Sequence, residues 1–201
     1  MIPPRAAVRR RSAAPPSRLR PFALADGRGA PRWPTQVEVA WDDDGLAVAF
    51  DCADDDAWST FSERDAPLWQ QEAVELFLAA GEAVPVQYFE FEVSPKGVLF
   101  DARVTNPHGD RLGMTVDSAW NCSGIAWHAA PTGERADWRA ELVIPWRGLG
   151  LAAAPAALSA NFYRIERPRG GEPEFSCWSP TLTSPADFHR PHRFGVLELI
   201  R

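Results

Sequence analysis

The chain has no stretch approaching the ~20 apolar residues a bilayer-crossing helix needs, so no such helix is expected. Its N-terminal segment has no apolar core of the roughly 7–15 residues found in a secretory signal, which favours a cytoplasmic location. Cysteine is sparse: Cys52, Cys122 and Cys177 are odd in number, 70 and 55 residues apart, and form no C-x-x-C pair. That excludes a zinc ribbon or a dithiol redox motif and leaves buried free thiols as the expectation. No G-x-S-x-G elbow, G-x-G-x-x-G fingerprint or phosphate loop occurs. Acidic residues are missing from positions 1–20, where Arg5, Arg9, Arg10, Arg11, Arg18 and Arg20 supply +6. The net charge of −6 therefore leaves −12 on the rest of the chain. An acidic body repels phosphate backbones, so nucleic acid is not an expected partner.

What is present points to one folded unit. At 201 residues the chain can bury a core without disulfides, and 45% hydrophobic residues exclude a wholly disordered chain. Residues 1–30 are rich in Arg and Pro, including Pro3, Pro4, Pro15 and Pro16, and are predicted to be a disordered tail. Residues 31–201 carry the fold. Val37, Val39 and Trp41 alternate with polar or small residues, Asp42–Gly45 reads as a hairpin turn, and Leu46, Val48 and Phe50 resume the alternation. The same period runs through Val74, Leu76 and Leu78, and through Phe89, Phe91 and Val93. Ser94–Gly97 then turns the chain into a strand from Val98 to Val104. Further strands are expected at 125–129, 138–144, 161–165 and 194–200. Pro155 breaks the Ala-rich run at 149–158, the best helix candidate. Eight to ten short strands predict an all-β, two-sheet antiparallel sandwich.

The segments VEVAWDDDGLAVAFDCADDD (37–56), RDAPLWQQEAVELFL (64–78), YFEFEVSPKGVLFDAR (88–103), WRAELVIPWRGL (138–149), ANFYRIER (160–167) and CWSPT with DFHRPHRFGVLEL (177–199) occur in an order and spacing that carry a resemblance. Together they resemble the family 9 carbohydrate-binding modules and the wider group of DOMON-like β-sandwich domains. The resemblance implies a non-catalytic domain that holds a sugar between two Trp side chains, with polar groups on its hydroxyls. By motif position the two plates correspond to Trp69 and Trp178. The polar groups correspond to Glu72, Glu75, Asn161 and Arg164. Some domains of the wider group bind haem through Met and His, for which Met114 with His108 or His128 are the candidates here.

The chemistry suits a pyranose. Indole faces bury its C–H face, and carboxylate, guanidinium and amide groups match its hydroxyl rim. Other tryptophans have blander readings: Trp41, Trp127, Trp138 and Trp146 sit in apolar patterns and are expected in the core, while Trp58 and Trp120 stay open as alternative site residues. Glu90 and Glu92 share one face of a strand, roughly 6.6 Å apart. That separation suits an inverting hydrolase, but the two stand side by side rather than across a bond, so a solvated strand face is expected. No catalytic residue and no cofactor are assigned. The acidic turns Asp42–Asp44 and Asp54–Asp56 match no EF-hand loop and are expected to be solvated turns, although the resemblance allows a structural calcium ion on such oxygen-only groups. His189 and His192 lack a convincing fourth zinc ligand beside Cys177. A carbohydrate is the expected partner, a membrane is not, and the oligomeric state is left open.

Overall fold

The computed structural model describes all residues except Ala13, Glu134 and Arg201. Fourteen strands run in chain order: β1 (Arg5–Arg9), β2 (Ser17–Arg18), β3 (Ala23–Leu24), β4 (Thr35–Trp41), β5 (Gly45–Cys52), β6 (Ala73–Ala80), β7 (Gln87–Val93), β8 (Leu99–Thr105), β9 (Thr115–Asp117), β10 (Ala126–Pro131), β11 (Trp138–Pro145), β12 (Ala157–Glu166), β13 (Glu174–Cys177) and β14 (Gly195–Ile200). The only helical segments among the described residues are three short 3-10 turns, at Leu68–Gln70, Trp146–Leu149 and Pro191–Arg193. No described helix is long and apolar enough to cross a membrane.

The larger sheet runs β1-β14-β12-β6-β7-β8-β9, with β13 on β12 and β3 on β13; the smaller runs β10-β11-β5-β4-β2. Among the named strands all pairings are antiparallel except β1 with β14. The main core lies between the sheets. Val74, Leu76 and Leu78 of β6, Phe91 and Val93 of β7 and Phe162 of β12 meet Val37, Val39, Val48, Phe50, Trp138 and Leu142 of the smaller sheet. The period-two alternation thus predicts which side chains face inward, as the two-sheet sandwich requires.

The N-terminal thirty residues correct the expectation of a disordered tail. β1 pairs residue by residue with β14 from Arg5↔Val196 to Arg9↔Ile200. Val8, Leu19 and Phe22 enter the main core. The indole N–H of Trp41 donates to the Val8 carbonyl at 2.9 Å, tying β1 to the opposite sheet. Composition misleads here because the arginines need not be buried. Arg5 pairs with Glu82 and Glu198, Arg10 with Asp43, and Arg18 with Glu38, all at the surface, while the few apolar residues between them point inward. The additional strands beyond the expected eight to ten are mostly short edge pieces whose length gives no alternating pattern.

Core assignment holds for Trp41, Trp138 and Trp146, whose indole N–H groups reach Val8, Asp54 and Asp42. Trp127 departs from it: its ring is exposed on edge strand β10, with Arg64 5.2 Å above it and its N–H on the Gly97 carbonyl. All three cysteines are free and buried.

Val8 sits on a strand that a disordered tail would not contain. Val8→Ala is expected to lower unfolding free energy by roughly 1–3 kcal/mol, the usual cost of truncating a packed aliphatic side chain. Urea denaturation measures it; an unchanged midpoint would mean that residues 5–9 do not pack as described.

Candidate binding site

In most sandwiches the outer face of a sheet meets water. Here β6, β7, β8, β12 and β13 also carry large side chains on their outer face. Phe77 of β6 packs with Tyr88, Tyr163, Phe188 and Phe194 in one aromatic cluster. Ala73 of β6 packs with Leu68, Phe100 and Ala102 in another. Glu75 lies between Ala73 and Phe77 on that face, so it stands between the clusters.

A cavity of about 580 Å³ opens there, within the size range of small-molecule sites. Its aromatic lining is Trp69, Phe100, Phe175 and Phe188, and its charged lining includes Glu75, Glu90, Glu92, Arg111 and Arg167. The 3-10 turn Leu68–Gln70 presents Trp69, which is 43% exposed and meets Phe100 edge-on at 5.3 Å. Arg167 joins the two sides of the rim. Its Nη2 donates to the Trp69 carbonyl at 3.2 Å while the guanidinium lies 5.4 Å from the Phe175 ring. A wider groove of about 800 Å³ lies alongside, lined by Trp33, Arg169 and Glu174. It is more open and lacks converging carboxylates.

The floor is acidic. Glu75 on β6 faces Glu92 on β7 in register, and Glu90 follows two residues along. One carboxylate oxygen from each of the three lies within 4.8 Å of the other two. This corrects the expectation of a solvated face for Glu90 and Glu92, because loops covering the outer side of the sheet bury all three. Burial raises the Glu90 carboxyl to about 7, despite the opposing pull of Arg111. Burial first, then repulsion from neighbouring carboxylates, pushes Glu75 and Glu92 well above the ordinary range. Arg111 is held away from full neutralisation of the floor, since its Nε donates to Asp187 at 2.6 Å. His189, also on the wall, is kept neutral by burial, which lowers it to about 3; its Nδ1 is 2.8 Å from the Tyr88 hydroxyl.

Of the six residues expected in the site, the structure brings Trp69 and Glu75 into this cavity and disperses the others. Trp178 is only 1% exposed and packs edge-on against Phe162 in the main core, so it cannot form the second plate of an open slot. Three positions separate Phe175 from Trp178 along and just beyond β13, and strand alternation then puts them on opposite faces. Phe175 faces the cavity. Asn161 is also buried, closing a pair of bonds with Ser179: its Nδ2 donates to the Ser179 carbonyl at 2.8 Å and its Oδ1 accepts the Ser179 N–H at 2.9 Å.

Arg164 and Glu72 belong to a separate ionic cluster. Arg164 donates to the Ala53 carbonyl at 2.8 Å, to Asp54 at 2.7 Å and to Glu166. Glu72 accepts the Trp58 N–H at 2.9 Å, and its carboxylate, with those of Asp54 and Glu166, lies in a group within 4.8 Å. The Arg164 guanidinium supplies the positive charge that such a group needs, which makes this a structural lock. Asp54 is thereby committed to Arg164 and Trp138, Asp55 pairs with Arg135 and Asp56 with Arg169. In the other acidic turn, Asp42 caps the Asp44 and Gly45 N–H groups. The carboxylates of both acidic turns thus engage protein partners. Trp58 bonds the Arg167 carbonyl and Trp120 packs on Phe89, so neither lines the cavity. His108 and His128 are exposed, and neither lines the cavity with Met114, so the proposed haem ligands are not assembled.

A family model described as carbohydrate-binding family 9 matches residues 30–199. A crystal structure of a Bacteroides uniformis ATCC 8492 protein, to which carbohydrate binding has been ascribed, superposes with a TM-score of 0.78 at 16% identity, covering 98% of this chain and 99% of that one. A family 9 carbohydrate-binding module from Caldicellulosiruptor kristjanssonii in complex with cellotriose gives a TM-score of 0.61 at 15% identity, with 97% and 93% coverage. An extracellular protein of Arthroderma benhamiae is 30% identical over 95 residues, which is 46% of this chain; the match spans 43% of that relative's length.

The ionic cluster gives a pH signature. Burial raises Glu72 to about 9 and Glu166 to about 7, so the folded state holds protons that the unfolded chain releases near pH 4.5. Stability from these groups is complete below that pH and is lost as pH rises toward 9. The urea midpoint should fall between pH 7 and pH 9, and fall less in Glu72→Gln, which needs no proton and keeps an acceptor for Trp58. Equal slopes for the two proteins would contradict this protonation assignment.

Proposed function

The chain belongs to carbohydrate-binding family 9, and from that premise we propose that the cavity on the outer face of the larger sheet holds a saccharide without cleaving it. Trp69 and Phe175 offer apolar surface to the C–H groups of the ring. Glu75, Glu90, Arg111 and Arg167 offer acceptors and donors to its hydroxyls. The observation that carries the reading is the combination of an exposed indole and converging polar groups in one cavity on a family 9 framework. Similar modules have been solved with cellotriose and with glucose, which makes glucose and β-1,4 glucans the first ligands to test.

Binding without hydrolysis fits the arrangement of carboxylates. Glu75, Glu90 and Glu92 all rise from one sheet face, within 4.8 Å of each other. An acid and a base that act across a glycosidic bond must stand on either side of it. Affinity is expected to be modest. At about −0.3 kcal/mol per heavy atom, a disaccharide of about 23 atoms gains roughly −7 kcal/mol, a Kd on the order of 10 μM.

Calorimetric titration with glucose, cellobiose and cellotriose is expected to show saturable heat in the micromolar to millimolar range. Trp69→Ala and Phe175→Ala should each weaken it by about tenfold, since each loses roughly 1–1.5 kcal/mol of aromatic contact. No glucose should be released from cellobiose or cellotriose on prolonged incubation. Absence of heat with every saccharide, or unchanged affinity in both variants, would refute the assignment.

A further inference from the structure

The acidic floor is more than a hydroxyl-binding surface requires. Three carboxylates converge, one from each of Glu75, Glu90 and Glu92. Glu92 is fully buried, and neither of its oxygens has a hydrogen-bond partner among the described residues. Burial and the neighbouring carboxylates hold Glu92 protonated in the free protein, and its ionisation needs a positive partner. Glu92 has the Glu90 carboxyl and the Trp69 N–H as polar neighbours, and among the described residues no cation of the cavity wall pairs with it: Arg111 is engaged by Asp187, Arg167 reaches the Trp69 carbonyl at the rim, and His189 bonds Tyr88.

We propose that the cavity prefers a saccharide bearing a protonated amine, and that the ammonium group docks on the Glu75–Glu90–Glu92 floor. This rests on the saccharide reading given above and narrows it to a substrate class. The donor count supports it. A hydroxyl has a single hydrogen to donate, whereas a primary ammonium has three, one for each converging carboxylate. Charge supports it as well. Three carboxylates so close cannot all ionise alone, and one positive charge in their midst allows further ionisation. Each resulting bond is charge-assisted, and such bonds are about twice as strong as neutral ones. The aromatic rim is compatible, because Trp69 and Phe175 present faces that attract both C–H groups and cations. A divalent cation fits less well, because calcium takes six to eight oxygen ligands and the floor offers three carboxylates.

The test is calorimetry on the full chain at pH 7 with EDTA present, using glucosamine, glucose and N-acetylglucosamine. Glucosamine is expected to bind at least tenfold more tightly than glucose, and N-acetylglucosamine, which lacks the charge, should show no such advantage. Glu92→Gln and, separately, Glu90→Gln should reduce the glucosamine-to-glucose ratio to about twofold or less. Two variants are used so that one that fails to fold does not decide the result; near-ultraviolet circular dichroism checks each. Glucose binding with equal glucosamine affinity would overturn this inference alone and leave the saccharide reading standing. Failure of all three sugars, and of cellotriose, would overturn both. A titration with calcium chloride in EDTA-free buffer completes the set: calcium heat that Glu92→Gln abolishes, without a glucosamine advantage, would make the floor a metal site and refute the proposal.

Discussion

Everything distinctive in this domain follows from a sheet that is buried on both sides. A strand sends alternate side chains to opposite faces, and an ordinary sandwich strand leaves one set in water. In β6 both sets are covered: Val74, Leu76 and Leu78 by the opposing sheet, and Ala73, Glu75 and Phe77 by loops. A carboxylate at the middle of such a strand cannot escape to solvent. Glu75 is therefore trapped between two apolar clusters, and its neighbours Glu90 and Glu92 on β7 are trapped with it. The cavity is the gap that remains between the clusters, and its charge is a consequence of where the alternation places these residues.

Two buried acidic groups share the domain and are resolved in opposite ways. Asp54, Glu72 and Glu166 surround Arg164, whose guanidinium donates to the protein on several sides. That cluster joins the loop after β5 to β12, and its energy is spent on holding the sandwich together. Among the described residues, Glu75, Glu90 and Glu92 form no salt bridge with a cation. The contrast separates a structural lock from the cavity proposed to take a ligand. Inspection of residue types alone would treat both as clusters of acids.

The sequence makes the architecture readable because core-facing residues repeat with period two over segments as long as the strands themselves. The segments around Val37, Val74, Phe89 and Trp138 all become strands with the expected faces inward. Two kinds of information were not accessible. β1 is short and its flanking arginines dominate composition, so only pairing with β14, almost two hundred residues away, reveals it as a strand. Of the expected residues, Trp69 just before β6 and Glu75 within it line the cavity, and the long, well-patterned strand made their positions readable. Phe175 could not be distinguished from Trp178, since β13 has four residues and its parity becomes visible only when β12 is beside it. Arg164 and Asn161 carry site-like chemistry, but three residues apart on a strand they point to opposite faces and cannot serve one ligand together.

The proposed saccharide site lies on the outer face of the larger sheet, and not between the sheets. Heteronuclear NMR of the indole N–H signals during saccharide titration tests this most directly. The account predicts saturable shifts for Trp69, with the Trp178 signal unmoved. Shifts at Trp178 with Trp69 silent would place the ligand on the other side of the sheet and contradict it.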